Sequence, residues 1–399
     1  MTGGRHGVVI VGAGASGLHT AEALRSDGYD LPVAIVGDEP HDSYDRPPLS
    51  KALLRGELDA AALALRPANH LAGLGVERHH GRAAGLDVAA RCVHLDDGRA
   101  LAFDHVVIAT GVRPRTLAMP GGDRALSLHT VEDGMRLRTA LAGARRVVVI
   151  GGGVLGTEIA GTTVDLGAET VLACPTGEPL AALLGAEPAR RVMAAHYARG
   201  LRVRRGDAGR AVGIEPAAAA GSRVVFADGT SELADVVIAT VGSDPAVDWI
   251  AGSGLDTADG VRAGVDASAA PGVYAVGDVL RWPSRRFARE LRVPHRTQAT
   301  DSGLHVGARI ATGEPVAFDP VPYFWTDQLG QRVQSHGHLG RADEVRIVAE
   351  DAERDSFVAV YCQDGRLTGV TAVKAAKAAA RWRGLIEAGT SWADALAAA

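Results

Sequence analysis

Two glycine-rich loops are the parts of this chain best suited to chemistry. Gly12-Ala13-Gly14-Ala15-Ser16-Gly17 follows the apolar run Val8-Val9-Ile10-Val11. About 140 residues later, Gly151-Gly152-Gly153-Val154-Leu155-Gly156 follows Val147-Val148-Val149-Ile150. The spacing has a physical reading. One glycine permits a tight turn, one lets backbone approach a pyrophosphate, and one allows a helix to pack closely on a strand. The helix that each loop opens presents free N–H groups and a positive dipole end to phosphate. One copy alone is a weak signal. Two copies, each between an apolar strand and a helical stretch (Leu18 to Arg25, Thr157 to Leu166), point to two dinucleotide sites.

Such loops need parallel sheets behind them, and the β-branched runs suit strands buried on both faces. Three further short strands end in glycine turns, where backbone can approach a ligand. Asp104 to Ala109 runs into Thr110-Gly111, Ala234 to Ala239 into Thr240-Val241-Gly242, and Gly272 to Val276 into Gly277-Asp278. After the strand Val33-Ala34-Ile35-Val36, Asp38 and Glu39 stand about 20 residues beyond the first loop, where an acid accepts hydrogen bonds from a ribose diol. From about Pro320 the texture changes to alternating strands, Phe357 to Tyr361 and Leu367 to Val370, joined at Asp364-Gly365 as an antiparallel hairpin. A helix from about Ala375 to Ala388 follows, and the Ala-rich end through Ala399 reads as a frayed helix or tail. The fold class is α/β, with two Rossmann-like dinucleotide-binding domains and a smaller C-terminal α+β domain.

Composition limits the alternatives. A chain of 399 residues suggests two or three domains at about 100–200 residues each. With 47% hydrophobic and 22% charged residues, wholesale disorder is excluded. A net charge of −5 calls for neither nucleic acid nor membrane lipid as partner. No apolar stretch approaches the length of about 20 residues that a membrane helix needs, so a cytoplasmic location is expected. Cys92, Cys174 and Cys362 are far apart, which argues against a redox dithiol or a zinc ribbon. The 14 histidines include no HxH or HExxH pattern, and His79-His80 is merely adjacent, so no metal site is expected.

Two segments are more specific: Tyr44-Asp45-Arg46-Pro47-Pro48-Leu49-Ser50-Lys51 and Val321-Pro322-Tyr323-Phe324-Trp325-Thr326-Asp327-Gln328. With the two loops, they make the chain resemble the FAD-dependent ferredoxin reductases of the putidaredoxin reductase and aromatic-ring dioxygenase type, within the two-dinucleotide-domain flavoproteins. The resemblance implies an FAD domain of residues 1–115 and 247–318, an NAD(P) domain of 116–246 and an interface domain of 319–399. It implies FAD on the first loop and NADH, or NADPH, on the second. Electrons would pass to a small acidic [2Fe–2S] ferredoxin serving an oxygenase or cytochrome P450, from a monomer or homodimer. FAD would be met by Gly12, Gly14, Ala15, Ser16, Gly17, Asp38 or Glu39 (Glu39 favoured), Arg46, Ala109, Thr110, Gly111, Arg115, Gly277 and Asp278. The nicotinamide nucleotide would be met by Gly151, Gly153, Val154, Leu155, Gly156 and Gly242. Lys51 would lie beside the reactive flavin edge, paired with Glu158, and Trp325 beside the flavin where electrons leave. A nearby ammonium favours the negative charge of reduced flavin. The basic run Arg281, Arg285, Arg286, Arg289 and Arg292 reads either as a solvated face or as a surface that steers an acidic partner.

The chain also departs from the family pattern. Cys174 stands where an acid for the NADH ribose is expected, and a thiol is a poor acceptor. Glu178 replaces an arginine, Pro294 and Arg296 replace a glutamate and a tryptophan, and Lys374 replaces an asparagine. The changes at Cys174 and Arg296 motivate a second reading, a flavoenzyme acting directly on a small molecule, and a third reading is a binding protein that keeps FAD without turnover.

Overall fold

The computed structural model describes residues 5–218, 221–340 and 342–398. The chain divides into two compact units, one of Met1–Asp45, Leu63–Arg113 and Asp244–Pro322, the other of Arg46–Ala62, Pro114–Ser243 and Tyr323–Ala399. The Pro-Pro-Leu-Ser-Lys segment therefore groups with the second unit, together with the second glycine loop and the C-terminal residues.

In the first unit the strand Arg5–Val11 lies between Val33–Gly37 and Ala100–Ile108, all parallel, with Val76–His80 and Val273–Ala275 further out. Val8, Val9, Ile10 and Ile35 are fully buried, as expected of strands covered on both faces. The first loop leads into helix Ala15–Ser26, which packs along helix Arg296–Thr312. Two glycines set that approach. A Cβ on Gly303 would come within 2.5 Å of Ser16 O, and one on Gly307 within 2.5 Å of Ala23 Cβ.

In the second unit the parallel order is Arg202–Arg205, Glu169–Cys174, Arg146–Ile150, Val236–Ala239. The expected strand from Ala234 to Ala239 is divided. Ser231–Ala234 pairs antiparallel in a separate three-stranded sheet, and only Val236–Ala239 joins the parallel one. Asp235 lies at the break, its carboxylate accepting the N–H groups of Arg145 and Arg146, each at 2.9 Å. Residues 323–373 build a five-stranded antiparallel sheet. Its strands Ser356–Gln363 and Arg366–Val373 form the expected hairpin, with Asp364 and Gly365 at φ +50° and +70°, as a primed turn requires. Helix Ala376–Glu387 buries Trp382 and Ile386. The Ala-rich end is more ordered than the composition suggests. Trp392–Ala397 is a short helix whose first turn is capped by Ser391, through the Asp394 N–H at 3.1 Å, while Ala399 lies outside the described residues. Among the described residues no helix is long and apolar enough to cross a membrane.

Three histidines give the fold a pH dependence. Burial pulls His129, His295 and His336 from 6.5 down to about 4, aided by Arg46 at His129 and Arg383 at His336. Above pH 6.5 these rings are neutral whether the chain is folded or not. As pH falls from 6.5 towards 4, the unfolded chain takes up protons that the folded chain refuses, so stability drops. The urea midpoint should fall steadily across that window. A midpoint flat from pH 7 to 4.5 would show these rings to be solvated.

Candidate active site

The first loop is shaped by contacts that only glycine permits. Gly12 has φ +118°, and a Cβ there would lie 2.2 Å from Ala109 O, so the loop and the turn Ala109-Thr110-Gly111 touch through backbone alone. A Cβ on Gly17 would fall 2.0 Å from Gly12 O, which holds the helix start against the strand end. Gly14 differs: its Cβ would meet no protein atom within 4 Å, and as the N-cap it offers no side chain to the N–H groups of Ser16 and Gly17. Gly277 (φ +71°) closes on the same place, its Cβ position 2.7 Å from Ser16 Oγ, and brings Asp278 with it. Of the two candidate ribose acids, Asp38 is exposed and paired with Arg82 at 3.3 Å, while Glu39 is half-buried and accepts the Tyr44 hydroxyl at 2.5 Å. Thr110 donates to Ala246 O at 2.7 Å, so its hydroxyl serves the turn.

The second loop repeats this construction. Gly151 has φ +119° and a Cβ position 2.3 Å from Thr240 O, and that of Gly156 is 1.9 Å from Gly151 O. Gly153, again the N-cap, faces open space, with half-buried Val154 and exposed Leu155 next in the helix. Both sites thus leave room for a phosphate group at an uncapped helix start, which fits a dinucleotide at each. Gly242 (φ +96°) accepts the backbone N–H of exposed Arg115 at 2.9 Å. Cys174 is buried at the strand end with its thiol pressed under Gly152, whose Cβ would lie 2.3 Å from Sγ.

The remaining candidates lie in a charged knot. Lys51 Nζ is 2.7 Å from Glu158 Oε2, with both side chains largely buried. Ser50 Oγ donates to the same oxygen at 2.5 Å, and Thr326 Oγ1 donates to Glu158 Oε1 at 2.5 Å. Gln328 Nε2 donates to Thr326 Oγ1 at 2.9 Å, and Thr162 ties down Ser50 O at 2.8 Å. Lysine charge at low exposure is tolerable because its partner carboxylate is hydrogen-bonded at both oxygens. Trp325 sits on strand Tyr323–Gln328 beside Thr326, so strand alternation turns it to the opposite face, where it stacks on Tyr323 at 5.9 Å under Arg332. Arg46 donates to His129 O. The Thr326 contact to Glu158, between residues 168 apart, had no sequence signal.

Other features are bland. Within the basic run, Arg281 pairs with Glu290 at 2.7 Å and Arg292 with Asp259 at 2.8 Å, which offsets part of its charge. Arg296 pairs with Asp45 at 2.5 Å. One group of metal-ligand type comes together among the described residues, His6, Glu77 and His79, but Arg99 Nη1 lies 3.4 Å from His79 Nδ1 and disfavours a cation there.

Residues 6–303 match the family described as pyridine nucleotide-disulphide oxidoreductase, and residues 323–399 match the reductase C-terminal domain. The chain is 32% identical over 378 residues to the biphenyl dioxygenase system ferredoxin–NAD(+) reductase component of Paraburkholderia xenovorans (strain LB400), covering 93% of this chain and 90% of that one. The chain belongs to the pyridine nucleotide-disulphide oxidoreductases, in their ferredoxin reductase branch. Among solved structures, this ferredoxin reductase is similar to that for the CYP199A2 system from Rhodopseudomonas palustris (TM-score 0.88, 34% identity, 93% and 92% covered). It is also similar to putidaredoxin reductase in its covalent complex with putidaredoxin (TM-score 0.91, 28% identity, 97% and 94% covered). The disulphide of the family's description has no counterpart in this reductase: Cys92, Cys174 and Cys362 are all free.

Proposed function

We propose that the chain is an FAD-dependent NAD(P)H:ferredoxin oxidoreductase that supplies a small acidic [2Fe–2S] ferredoxin serving an oxygenase or cytochrome P450, and that it works in the cytoplasm. The observation that carries this reading is the pair of loops built alike, glycine for glycine, at Gly12–Gly17 and Gly151–Gly156. FAD would take the first, with Gly14, Ala15 and Ser16 at its pyrophosphate, Glu39 at its ribose, and Ala109, Thr110, Gly111, Gly277 and Asp278 nearby. The nicotinamide nucleotide would take the second. The domain limits would be 1–115 with 247–318, then 116–246 and 319–399.

When bound, FAD supplies the capacity to take a hydride from nicotinamide and to pass electrons on singly. The chain supplies binding and charge. Lys51 would provide the fixed positive charge that favours reduced flavin, at no cost of reorganisation because Glu158 and Ser50 already hold it. Thr326 would hold Glu158 from the C-terminal sheet, and Trp325 would offer an aromatic surface towards the acceptor. The direct small-molecule reading loses its motive, since Cys174 is a packing residue and Arg296 is neutralised by Asp45.

The test is anaerobic mixing of FAD-loaded protein with NADH or NADPH, followed at the flavin band, then addition of a [2Fe–2S] ferredoxin. Bleaching by a nucleotide and reoxidation by the ferredoxin are expected. Bleaching by dithionite with no response to either nucleotide would sink the proposal.

A further inference from the structure

We propose that Glu178 is the acceptor for the adenosine ribose of the nicotinamide nucleotide in this chain and sets a preference for NADH. The inference rests on the second loop being a nucleotide site, as above, and names the residue that completes it. Dinucleotide folds of this kind place an acid at the end of the second strand, about 20 residues past the glycine loop, to accept hydrogen bonds from the ribose diol. Here that strand ends at Cys174, which cannot do this. Its thiol is a weak acceptor, it is 2% exposed, and it is wedged under Gly152.

The chain then turns back. Gly177 has φ +112°, a conformation that suits a sharp reversal. Pro179 Cα comes within 3.3 Å of the Cβ position of Gly152, and Leu180 N–H donates to Gly152 O at 2.8 Å. The segment is thus laced to the glycine loop, and Glu178 is the acid it carries there. The carboxylate is already fixed. Tyr197 donates its hydroxyl to Oε1, and Arg205 Nη2 donates to Oε2 at 2.8 Å while lying 2.6 Å from the Tyr197 oxygen. Arg205 pairs in register with Cys174 on the neighbouring strand, so the acid has moved along the chain and returned to the same strand end.

A carboxylate has about four lone-pair sites. Two are used by Tyr197 and Arg205, which leaves acceptor capacity for a vicinal diol. The same arrangement works against NADPH. A 2′-phosphate would face a carboxylate, and the arginine best placed to receive it is engaged by that carboxylate.

The experiment is calorimetric binding of ADP-ribose, NAD+ and NADP+ to oxidised holoenzyme, which needs no turnover. Wild-type protein should bind NAD+ more tightly than NADP+. Glu178→Gln should weaken ADP-ribose and NAD+ about tenfold, the loss of one charged acceptor, and should tighten NADP+ by freeing Arg205. Cys174→Ala should leave all three unchanged. An unaltered ADP-ribose affinity in Glu178→Gln, or an equal loss in Cys174→Ala, overturns the assignment. If Glu178→Gln fails to fold, Glu178→Asp, which keeps the charge but shortens the reach, should give the same weakening of ADP-ribose. Wild-type protein that binds none of the three overturns the nucleotide reading of the loop itself, and this assignment with it.

Discussion

In Lys51→Met, reduction of bound FAD by the preferred nicotinamide nucleotide should slow about 100-fold, the usual scale for removing one preorganised charge from where charge develops. The variant should also be less stable, by about 3 kcal/mol, because Glu158 is left as a buried carboxylate with hydroxyl donors only. The two effects can be separated. In the double variant Lys51→Met with Glu158→Leu, both buried charges are gone and most of the stability should return, while the rate should not. Stopped-flow reduction and urea denaturation on the same samples read both. Recovery of the rate together with the stability would make the pair a structural tie and remove Lys51 from the reaction.

The second large effect concerns FAD retention. Gly14→Ala places its methyl where the protein has no atom within 4 Å, so the apoprotein should fold with a loss of about 1 kcal/mol or less, the scale of an N-cap change. The same methyl would occupy the space assigned to the pyrophosphate, and FAD affinity should drop about 100-fold, near 2.7 kcal/mol. Gly17→Ala should behave differently. Its Cβ would sit 2.0 Å from a backbone oxygen, so helix and strand must move apart and the apoprotein itself should lose about 1–3 kcal/mol. The ratio of flavin to protein absorbance after purification and the thermal midpoint of each apoprotein distinguish these cases. A fully yellow Gly14→Ala protein would mean that the loop holds no phosphate.

The two loops could be read from the chain because their requirement is glycine itself: a positive φ at Gly12 and Gly151, and backbone contact at Gly17 and Gly156, admit little else. The hairpin at Asp364-Gly365 was readable for the same reason. What could not be read is whatever depends on residues distant in sequence or on a carboxylate's choice of partner. Nothing local says that Thr326 will donate to Glu158, or that Asp235, where a strand divides, will accept two backbone N–H groups. The position of Cys174 signalled a missing acid, but the alternative became visible only once Gly177, Pro179 and Leu180 were seen to fold back on Gly152. The pairing of Lys51 with Glu158 was expected from resemblance and not from spacing, since 107 residues separate them.

The glycine stripe of helix Arg296–Thr312 bears on how the chain is made. The face of helix Ala15–Ser26 that receives Gly303 and Gly307 leaves the ribosome early, while its covering helix is encoded near residue 300. At about 5–20 residues per second, translation from the end of the second segment of that unit, Arg113, to its last residue, Pro322, takes roughly 10–40 s. Throughout that interval the nascent first unit lacks the helix that completes it. A chaperone that shields this uncovered helix face should therefore raise the yield of active protein more during synthesis than during refolding of the finished chain.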